Sequence, residues 1–340
     1  LGGAVGLSLA ACGKGKKSGS QGDSKTVTVV THDSFHVSED LQKAFTSETG
    51  YTLKIATSGD AGALVNKLVL TKDAPLGDAV FGIDNTYATR ALDQGVIDTS
   101  ATVTLPKGAE SYVVADTPAL APIDVGDVCL NIDTGYFTGK GLTPPATFED
   151  LTKPEYKGLL VAINPTNSSP GMAWLLATIG HFGAGSFADY WKQLVANGAR
   201  IAEDWSAAYE TDFSGSGKGT YPIVVSYASS PSFTVSKDKS SSSTSALLDT
   251  AFRQVEYAGV LKGAANPEGG KAFVEWMLSK AVQEDIPGQM YMYPVLPDAA
   301  LPEALTKFGP LSKSPVKVDP KEITTHREEW LNTWTEAVGK

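Results

Sequence analysis

The stretch KTVTVVTHDSFHVSEDLQKAFTSETGYTLKIAT, residues 25–57, contains one complete β-α-β unit. Residues 25–31 are rich in β-branched side chains and predict a buried strand. Residues 38–50 predict a helix with Ser38 as its N-cap and Gly50 as its C-cap. The chain then predicts a strand over 51–57, a helix over 62–72 and a strand over 77–84. This alternation is typical of a parallel sheet with helices on both faces, which places the chain in the α/β class.

Polar residues stand at the end of each of these three strands. In open parallel sheets, ligands bind beyond the carboxyl ends of the strands. The three strands lead into Thr31-His32-Asp33, Ser58-Gly59-Asp60 and Asp84-Asn85. We therefore expect the carboxylates of Asp33, Asp60 and Asp84 to lie along one rim of the sheet.

A second α/β block begins near residue 124, and the chain of 340 residues is longer than one core usually holds. The second block predicts strands over 127–133, 158–163 and 220–227, and helices over 169–183, 187–198, 267–279 and 323–339. Residues 237–249 are predicted as a surface loop and residues 286–297 as a turn-rich loop. We divide the chain into a lipoprotein signal remnant with a flexible linker (1–25), a first lobe (26–122 plus roughly 252–290) and a second lobe (123–251 plus roughly 291–340).

The first residues form a short apolar run that ends at Cys12. Residues 9–12, LAAC, resemble the bacterial lipoprotein box, in which the cysteine is lipidated and becomes the first residue after cleavage. That resemblance implies an acyl anchor on Cys12, which would hold the protein at a membrane surface without spanning the membrane. Residues 13–25 are rich in glycine, serine and lysine and predict a flexible linker. The alternative is a frayed terminus with a chance cysteine.

Composition and motifs disfavour several classes of function. The formal net charge of −10 argues against a nucleic-acid partner. His32 and His36 have the spacing of a helical zinc pair, but they straddle a strand end and no third ligand stands nearby, so we expect no metal. The only nucleophile and base that an enzyme could use are Cys129 and His181, and neither lies in a catalytic loop motif. We therefore expect neither an enzyme nor a cofactor, and we interpret Cys129 as a small buried hydrophobic residue.

Aromatic residues are concentrated on predicted loops of the second half of the chain. They are Trp205, Tyr209, Tyr227, Phe233, Tyr291 and Tyr293. Core filling explains most aromatic residues in proteins, but these follow strands or stand beside proline, glycine and serine. The face of an aromatic ring attracts a flat cation by about 0.5–2 kcal/mol. Together with the acids on the first rim, these rings predict a cleft between the lobes for a planar cationic small molecule.

Seven segments, taken in order and spacing, give the chain a specific resemblance to a known family. They are TVVTHDSF (28–35), VFGIDNT (80–86), PIDVGDVCLNID (122–133), INPTNSSPG (163–171), DWSAAYE (204–210), VVSYASSPSF (224–233) and MYMYPV (290–295). From about Thr26 to the terminal helix, the chain resembles the substrate-binding proteins of thiamine ATP-binding-cassette importers. The resemblance implies their two-lobed, type II periplasmic-binding-protein-like fold, with the ligand cleft between the lobes.

The resemblance also implies a set of ligand-binding residues. In that family, aromatic side chains hold the pyrimidine of the ligand, carboxylates lie near its cationic thiazolium, and hydroxyls meet its hydroxyethyl or phosphate end. Trp205, Tyr227 and Asp60 match family binding residues in kind. Ser168 matches a serine at the hydroxyl or phosphate end, and it precedes a predicted helix whose N-terminal amides suit an anion. With the rim acids and the three positions described next, the expected set is His32, Asp33, Asp60, Asp84, Ser168, Trp205, Tyr227, Phe233 and Tyr291.

At three of these positions the chain departs from the family. His32 stands where the family has a tyrosine, and a tryptophan expected shortly afterwards has no counterpart in HVSED (36–40). Phe233 replaces a stacking tyrosine, and Tyr291 replaces a stacking tryptophan. The aromatic cage is therefore kept, while its hydroxyl groups and its ring sizes change.

The function that the resemblance implies is capture of a solute by closure of the lobes. The protein would be an extracytoplasmic lipoprotein that binds thiamine or a thiamine phosphate and delivers it to the permease and ATPase subunits of an importer. One alternative is a ferric-iron or other small-cation binder of the same fold, although Met292 separates Tyr291 from Tyr293 and iron sites of this kind usually use adjacent tyrosines. Another alternative is a surface hydrolase or transferase that acts on a thiamine-like substrate.

Overall fold

One sheet runs through the whole protein, whose computed structural model describes residues 25–216 and 218–339. Within these ranges the strands are β1 (Thr26–Thr31), β2 (Thr52–Thr57), β3 (Ala79–Asp84), β4 (Ala121–Asp133), β5 (Leu160–Ile163), β6 (Arg200–Ala202), β7 (Ile223–Tyr227), β8 (Thr244–Val260) and β9 (Tyr293–Pro294). The strand order is β2-β1-β3-β8-β4-β7-β5-β6, and β9 pairs with β4. Cys12 and the predicted linker up to residue 24 lie outside the described residues.

The described residues also form helices, which pack against the sheet. They are α1 (Glu39–Thr49), α2 (Ala61–Leu70), α3 (Ala88–Asp93), α4 (Thr134–Lys140), α5 (Ser169–Phe182), α6 (Phe187–Ala196), α7 (Pro267–Met277), α8 (Lys280–Gln289), α9 (Glu303–Phe308) and α10 (Pro320–Val338), with a π-helical turn at Ala207–Asp212. The predicted order of the first block is confirmed, because β1 pairs in parallel with both β2 and β3. Gly50 ends α1 in the left-handed conformation, as predicted.

Two long antiparallel strands join the lobes. The end of β8 pairs with β3, and β8 pairs with β4 along almost all of β4. On its other side β4 pairs with β7, which leads to β5 and β6. Both strands cross the predicted boundaries between the lobes, at 122/123 for β4 and near 252 for β8. The lobe ranges themselves stay a prediction, while the α/β class is confirmed.

Strand β8 is not predicted from the sequence, and a predicted loop covers part of it. The predicted loop 237–249 is wrong from Thr244 onward, where β8 begins. Strand β6 and the first half of β4, from Ala121 to Gly126, are also absent from the predicted elements. Polar residues interrupt the apolar pattern of these strands, since Asp124, Asp127, Arg253 and Glu256 lie in their paired parts. A period of two in hydrophobicity therefore does not appear in the sequence.

The predicted loop 286–297 is also wrong in its first residues. Helix α8 continues through Ile286 and Pro287 to Gln289. Proline lacks the N–H that a helix interior uses, so its presence favoured a break after Ile286. The side chains of Ile286 and Pro287 are buried, and tertiary packing has overridden that local preference.

The terminal helix is anchored by a tryptophan cluster in the second lobe. Trp174 of α5 and Trp191 of α6 meet edge to face at 5.2 Å, and Trp191 meets Trp334 of α10 at 5.6 Å. The indole of Trp191 donates a hydrogen bond of 3.0 Å to the hydroxyl of Thr178. Large buried aromatic pairs of this geometry stabilise helix packing. Among the described residues, none of the helices has the length and apolar character needed to cross a membrane.

Asp127 fixes the register of the two long strands. Its side chain is fully buried in β4, and its two oxygens accept hydrogen bonds from Nε and Nη2 of Arg253 in β8, at 2.7 and 2.9 Å. The second oxygen also accepts the backbone N–H of Ser312 at 2.6 Å. One carboxylate thus holds β4, β8 and the segment before α10 together.

Replacing Asp127 with alanine leaves the Arg253 guanidinium and the Ser312 N–H without their buried acceptor. Because Arg253 is partly exposed, we expect the free energy of unfolding to fall by about 2–4 kcal/mol, measured by urea denaturation. The matched control is Asp189→Ala, which removes the exposed ion pair with Lys192 and should cost less than about 0.5 kcal/mol. Equal losses in the two variants would contradict the role of Asp127.

Candidate functional site

A cavity of about 440 Å³ lies between the two lobes, a size suited to a small molecule. The first lobe and the crossing strand β8 contribute His32, Asp33, Ser34, Asp60, Ala61 and Glu256. The second half of the chain contributes Pro170, Asp204, Trp205, Ser206, Glu210, Tyr227, Gln289, Met290, Tyr291 and Met292. Both groups contribute carboxylates to the walls, and the second group also contributes the aromatic rings of Trp205, Tyr227 and Tyr291.

Asp60 connects three segments beside this cavity. It is the N-cap of α2, and its Oδ1 accepts the N–H of Ala61 at 2.6 Å and the N–H of Ser169 at 3.1 Å. Its Oδ2 accepts the N–H of Trp205 at 3.4 Å. Burial raises the pKa of Asp60 above its usual value, against the opposing effect of the hydrogen bonds that it accepts. The carboxylate bridges the lobes, because α2 belongs to the first lobe and Ser169 and Trp205 to the second.

Asp84 makes a second bridge at the end of β3. Its Oδ1 accepts hydrogen bonds from the backbone N–H and the hydroxyl of Thr86, at 2.9 and 2.7 Å. Its Oδ2 accepts the hydroxyl of Ser169, in the first turn of α5. Burial raises the pKa of Asp84 to about 6, although these hydrogen bonds oppose the shift. The N-terminus of α5 thus faces the carboxyl groups of Asp60 and Asp84, which suit the positive end of the helix dipole.

The backbones of the two lobes also approach closely near Gly62. A Cβ at Gly62 would lie 2.6 Å from the carbonyl carbon and oxygen of Asn167, so only glycine fits there. The N–H of Ala63 donates to the carbonyl of Asn167 at 3.1 Å, and the hydroxyl of Tyr87 donates to the carbonyl of Pro165 at 3.2 Å. The lobes are therefore closed on each other at this side of the cavity.

His32 lies at the base of the cavity and is 7% exposed. Its ring packs against Gly82, where φ is +98° and where a Cβ would collide with the imidazole. Nδ1 accepts the N–H of Ser34 at 3.1 Å, and Nε2 lies 3.2 Å from Oε1 of Glu256. Burial alone would lower the pKa of His32, but Glu256, with smaller effects from Asp60 and Asp33, raises it above its usual value.

Trp205 and Tyr227 form the aromatic wall of the cavity. One face of Trp205 stacks on Tyr209 at 5.1 Å with an angle of 10° between the rings, and the residue lines the cavity. The indole N–H of Trp205 donates to Ser226 at 3.0 Å, which fixes the orientation of the ring. The ring of Tyr227 lies 6.5 Å away at an angle of 59°. Two of the predicted rings therefore meet around one space.

Tyr291 lines another side of the cavity, and its backbone has a φ of +65°, a left-handed conformation that is unfavourable for this residue type. Its ring lies against Phe233, which is 38% exposed. Phe233 supports Tyr291 from behind rather than lining the cavity itself.

The structure brings together six of the nine expected ligand-binding residues. His32, Asp33, Asp60, Trp205, Tyr227 and Tyr291 line the cavity. Asp84, Ser168 and Phe233 do not: Asp84 and Ser168 are fully buried behind the wall, and the Ser168 hydroxyl caps α5 by accepting the N–H of Gly171.

Sequence reasoning missed several lining residues, chiefly Asp204, Glu210, Glu256, Met290 and Met292. The segments DWSAAYE and MYMYPV contain four of these residues, so a wider reading of those segments would have found them. No sequence pattern pointed to Glu256 as a lining residue, because strand β8, which contains it, was not predicted.

The residues that the alternative functions need do not meet at the cavity. Cys129 is fully buried and burial raises the pKa of its thiol, while His181 pairs with Glu149 on the surface at 2.7 Å. The hydroxyl of Tyr293 donates to the carbonyl of Gly309 at 2.9 Å and is directed away from the cavity lining. Within the described residues, no group of three or more histidine, cysteine or acidic side chains is arranged to hold a metal ion.

Two lobes that share one mixed sheet, closed over a cavity lined by both, define a two-lobed solute-binding protein. The chain belongs to the bacterial extracellular solute-binding protein family, whose model matches residues 78–309. The family resemblance and the periplasmic-binding-protein-like fold expected from the sequence are confirmed.

Known proteins of this class resemble the chain along most of its length. It is 27% identical to the thiamine-binding periplasmic protein of Salmonella typhimurium over 326 residues, 92% of this chain and 94% of the relative. A solved periplasmic thiamin binding protein is 25% identical, with a TM-score of 0.80 over 93% of this chain and 96% of that one. Iron-bound HitA from Pseudomonas aeruginosa is 20% identical, with a TM-score of 0.68 over 92% of this chain and 99% of that one, and shares the fold.

The bridging role of Asp60 predicts a cost in stability beyond that of a helix cap. Asp60→Ala removes the acceptor for Ala61, Ser169 and Trp205, so we expect a loss of about 2–3 kcal/mol in the free energy of unfolding. The matched control is Asp319→Ala, which removes the N-cap of α10 alone and should cost about 1 kcal/mol. Urea denaturation of both variants measures the difference, and a loss at Asp60 no larger than that at Asp319 would contradict the bridge.

Proposed function

We propose that this protein captures thiamine outside the cytoplasm and delivers it to the permease and ATPase subunits of an ATP-binding-cassette importer. The observation that carries the proposal is a closed cavity in which the Trp205 and Tyr227 rings oppose buried and half-buried carboxylates. Thiamine is a cation whose two flat aromatic rings are joined by a methylene bridge, so stacking and charge attraction act on it together. The thiamine-binding relatives support the same ligand.

The aromatic wall suits the pyrimidine and the carboxylates suit the thiazolium. Trp205 is backed by Tyr209 and anchored through Ser226, so it is held rigid before a ligand arrives. A rigid ring loses little conformational entropy on binding, which favours affinity. Tyr291 completes the enclosure from another segment of the chain.

The surroundings of α5 favour thiamine over its phosphates. The N-terminus of this helix would suit a phosphate, but Asp60 and Asp84 already accept the N–H and the hydroxyl of Ser169 there. Ser168, expected at the phosphate end, uses its hydroxyl to cap the helix. A phosphate at this position would meet two carboxyl groups, which repel it when they are ionised.

Capture is by closure of the lobes, and no bond is made or broken. Contacts beside the cavity, from Asp60 to Trp205 and from Asp84 to Ser169, stabilise the closed arrangement. Lipidation of Cys12 would keep the protein beside its importer at the membrane surface. The iron alternative receives no support from the site, because the two tyrosines that line the cavity, Tyr227 and Tyr291, are not adjacent in the sequence, and the Tyr293 hydroxyl donates to the carbonyl of Gly309 instead.

Titration calorimetry with thiamine tests this function directly. We expect one thiamine to bind per chain, and Trp205→Ala to weaken that binding at least about fivefold through lost stacking and cation–π attraction. Tyr136→Ala, on α4 and away from the cavity lining, is the matched control and should bind like the parent. Absence of thiamine binding by the parent would refute the function, and full affinity in Trp205→Ala would remove this ring from the site.

Thiamine binding should strengthen as the pH rises. The pKa of His32 is raised by its carboxylate neighbours, so at low pH the ring is an imidazolium that repels a cationic ligand. As the pH rises through that pKa, the ring becomes neutral and the repulsion disappears. Calorimetry at about pH 5.5 and about pH 8 should give tighter binding at the higher value. Equal affinities of the parent at the two pH values would show that protonation of His32 does not affect thiamine binding.

A further inference from the structure

Five acidic residues line the cavity, and they differ in how far water screens their charges or hydrogen bonds compensate them. Asp33 and Glu210 are exposed, so water screens them. Asp60 already accepts three backbone N–H groups. Asp204 is half-buried and accepts the N–H of Ala207. The fifth is Glu256, which is 5% exposed and opens into the cavity from the crossing strand β8.

Ionisable groups surround Glu256 on every side. In the sheet it lies opposite Asp84 of β3 on one side and Asp124 of β4 on the other. The His32 ring lies above it, with Nε2 3.2 Å from its Oε1. The phenol of Tyr227 and the carboxylate of Asp60 complete its electrostatic surroundings.

Within this group, Asp124 has the least favourable surroundings for a negative charge. It is fully buried, and neither of its oxygens accepts a hydrogen bond from the described residues. Burial and the neighbouring Glu256 raise the pKa of Asp124 well above its usual range. Burial without a hydrogen-bond donor therefore favours the protonated form of Asp124.

A buried carboxylate needs a positive partner, and His32 is the cationic candidate beside Glu256 among the described residues. Their contact of 3.2 Å is an ion-pair distance, but the ring N–H is not aligned with the oxygen as a hydrogen bond. The ring is also held by the Ser34 N–H at Nδ1, which favours the neutral form. A cationic ligand can therefore replace His32 as the partner of Glu256.

We propose that Glu256 determines the preference of this site for a cation, by pairing with the positive ring of the bound ligand in place of His32, while Asp124 keeps its proton. Where His32 is protonated, at low pH, it releases one proton to solvent as the cation enters, so the charge of the site is unchanged; where the ring is already neutral, no proton leaves. The inference rests on the proposed function for the identity of the ligand. It assigns the recognition of charge to a residue on the crossing strand rather than to the rim acids.

Glu256→Gln removes the carboxylate of this side chain and keeps nearly the same shape, so it separates the effect of charge on ligand binding from the effect of shape. The probes are thiamine and its neutral thiophene isostere, which lacks the positive ring. We expect the parent to prefer thiamine by about tenfold or more and Glu256→Gln to lose most of that preference, with the affinity for the isostere changing less than about threefold. Asp249→Asn, on the exposed side of the same strand, is the matched control and should keep the preference.

The outcomes separate the two proposals. Equal weakening of both probes in Glu256→Gln, or an unchanged preference, would overturn the role of Glu256 and leave the function standing. Failure of the parent to bind either probe would overturn the function and the role of Glu256 with it.

A second measurement uses the unmodified protein and does not depend on how the variant folds. Calorimetry of thiamine binding in two buffers of different ionisation enthalpy counts the protons released. We expect release of up to one proton at about pH 6 and a fall toward zero at higher pH, as His32 loses its proton before the ligand arrives. Release of none at about pH 6 would overturn the proton exchange.

Discussion

The pairing of β4 with β8 is the constraint on which the rest of the molecule depends. These strands are the only part of the sheet common to both lobes among the described residues, and they pair along nearly the full length of β4. Because Asp127 and Arg253 fix their register, every side chain along them is assigned a face and a depth. The register therefore determines where Glu256 of β8 lies in the lining of the cavity.

Charge buried on these strands connects the fold to the function. Asp127 is satisfied by Arg253 and by Ser312, and its role is structural. On the same strand, Asp124 is fully buried and neither of its oxygens accepts a hydrogen bond from the described residues; it lies opposite Glu256 of β8. An incompletely compensated buried acid costs stability, and a cationic ligand that reaches it recovers that cost as binding energy. On the proposed function, the same strands stabilise the protein and also contribute the carboxylate of Glu256 that pairs with the cationic ligand.

Much of the fold could be predicted from the sequence, because the first β-α-β-α-β block has clear periodicity and polar strand ends. His32, Asp33 and Asp60 were found by that rule, and Trp205, Tyr227 and Tyr291 by their aromatic character on loops. Glu256 could not be found, since β8 mixes charged and apolar residues and has no regular pattern. The engagement of Asp60 by Ser169 and Trp205 also needs the tertiary structure, because these residues are more than one hundred positions away.

A crystal structure of the thiamine complex at neutral pH tests the central claim most directly. We predict one thiamine between the lobes, with its pyrimidine against Trp205 and the positive ring within about 6 Å of the Glu256 carboxylate. A complex in which the positive ring lies beside the exposed acids Asp33 or Glu210, with Glu256 still paired only to His32, would contradict it.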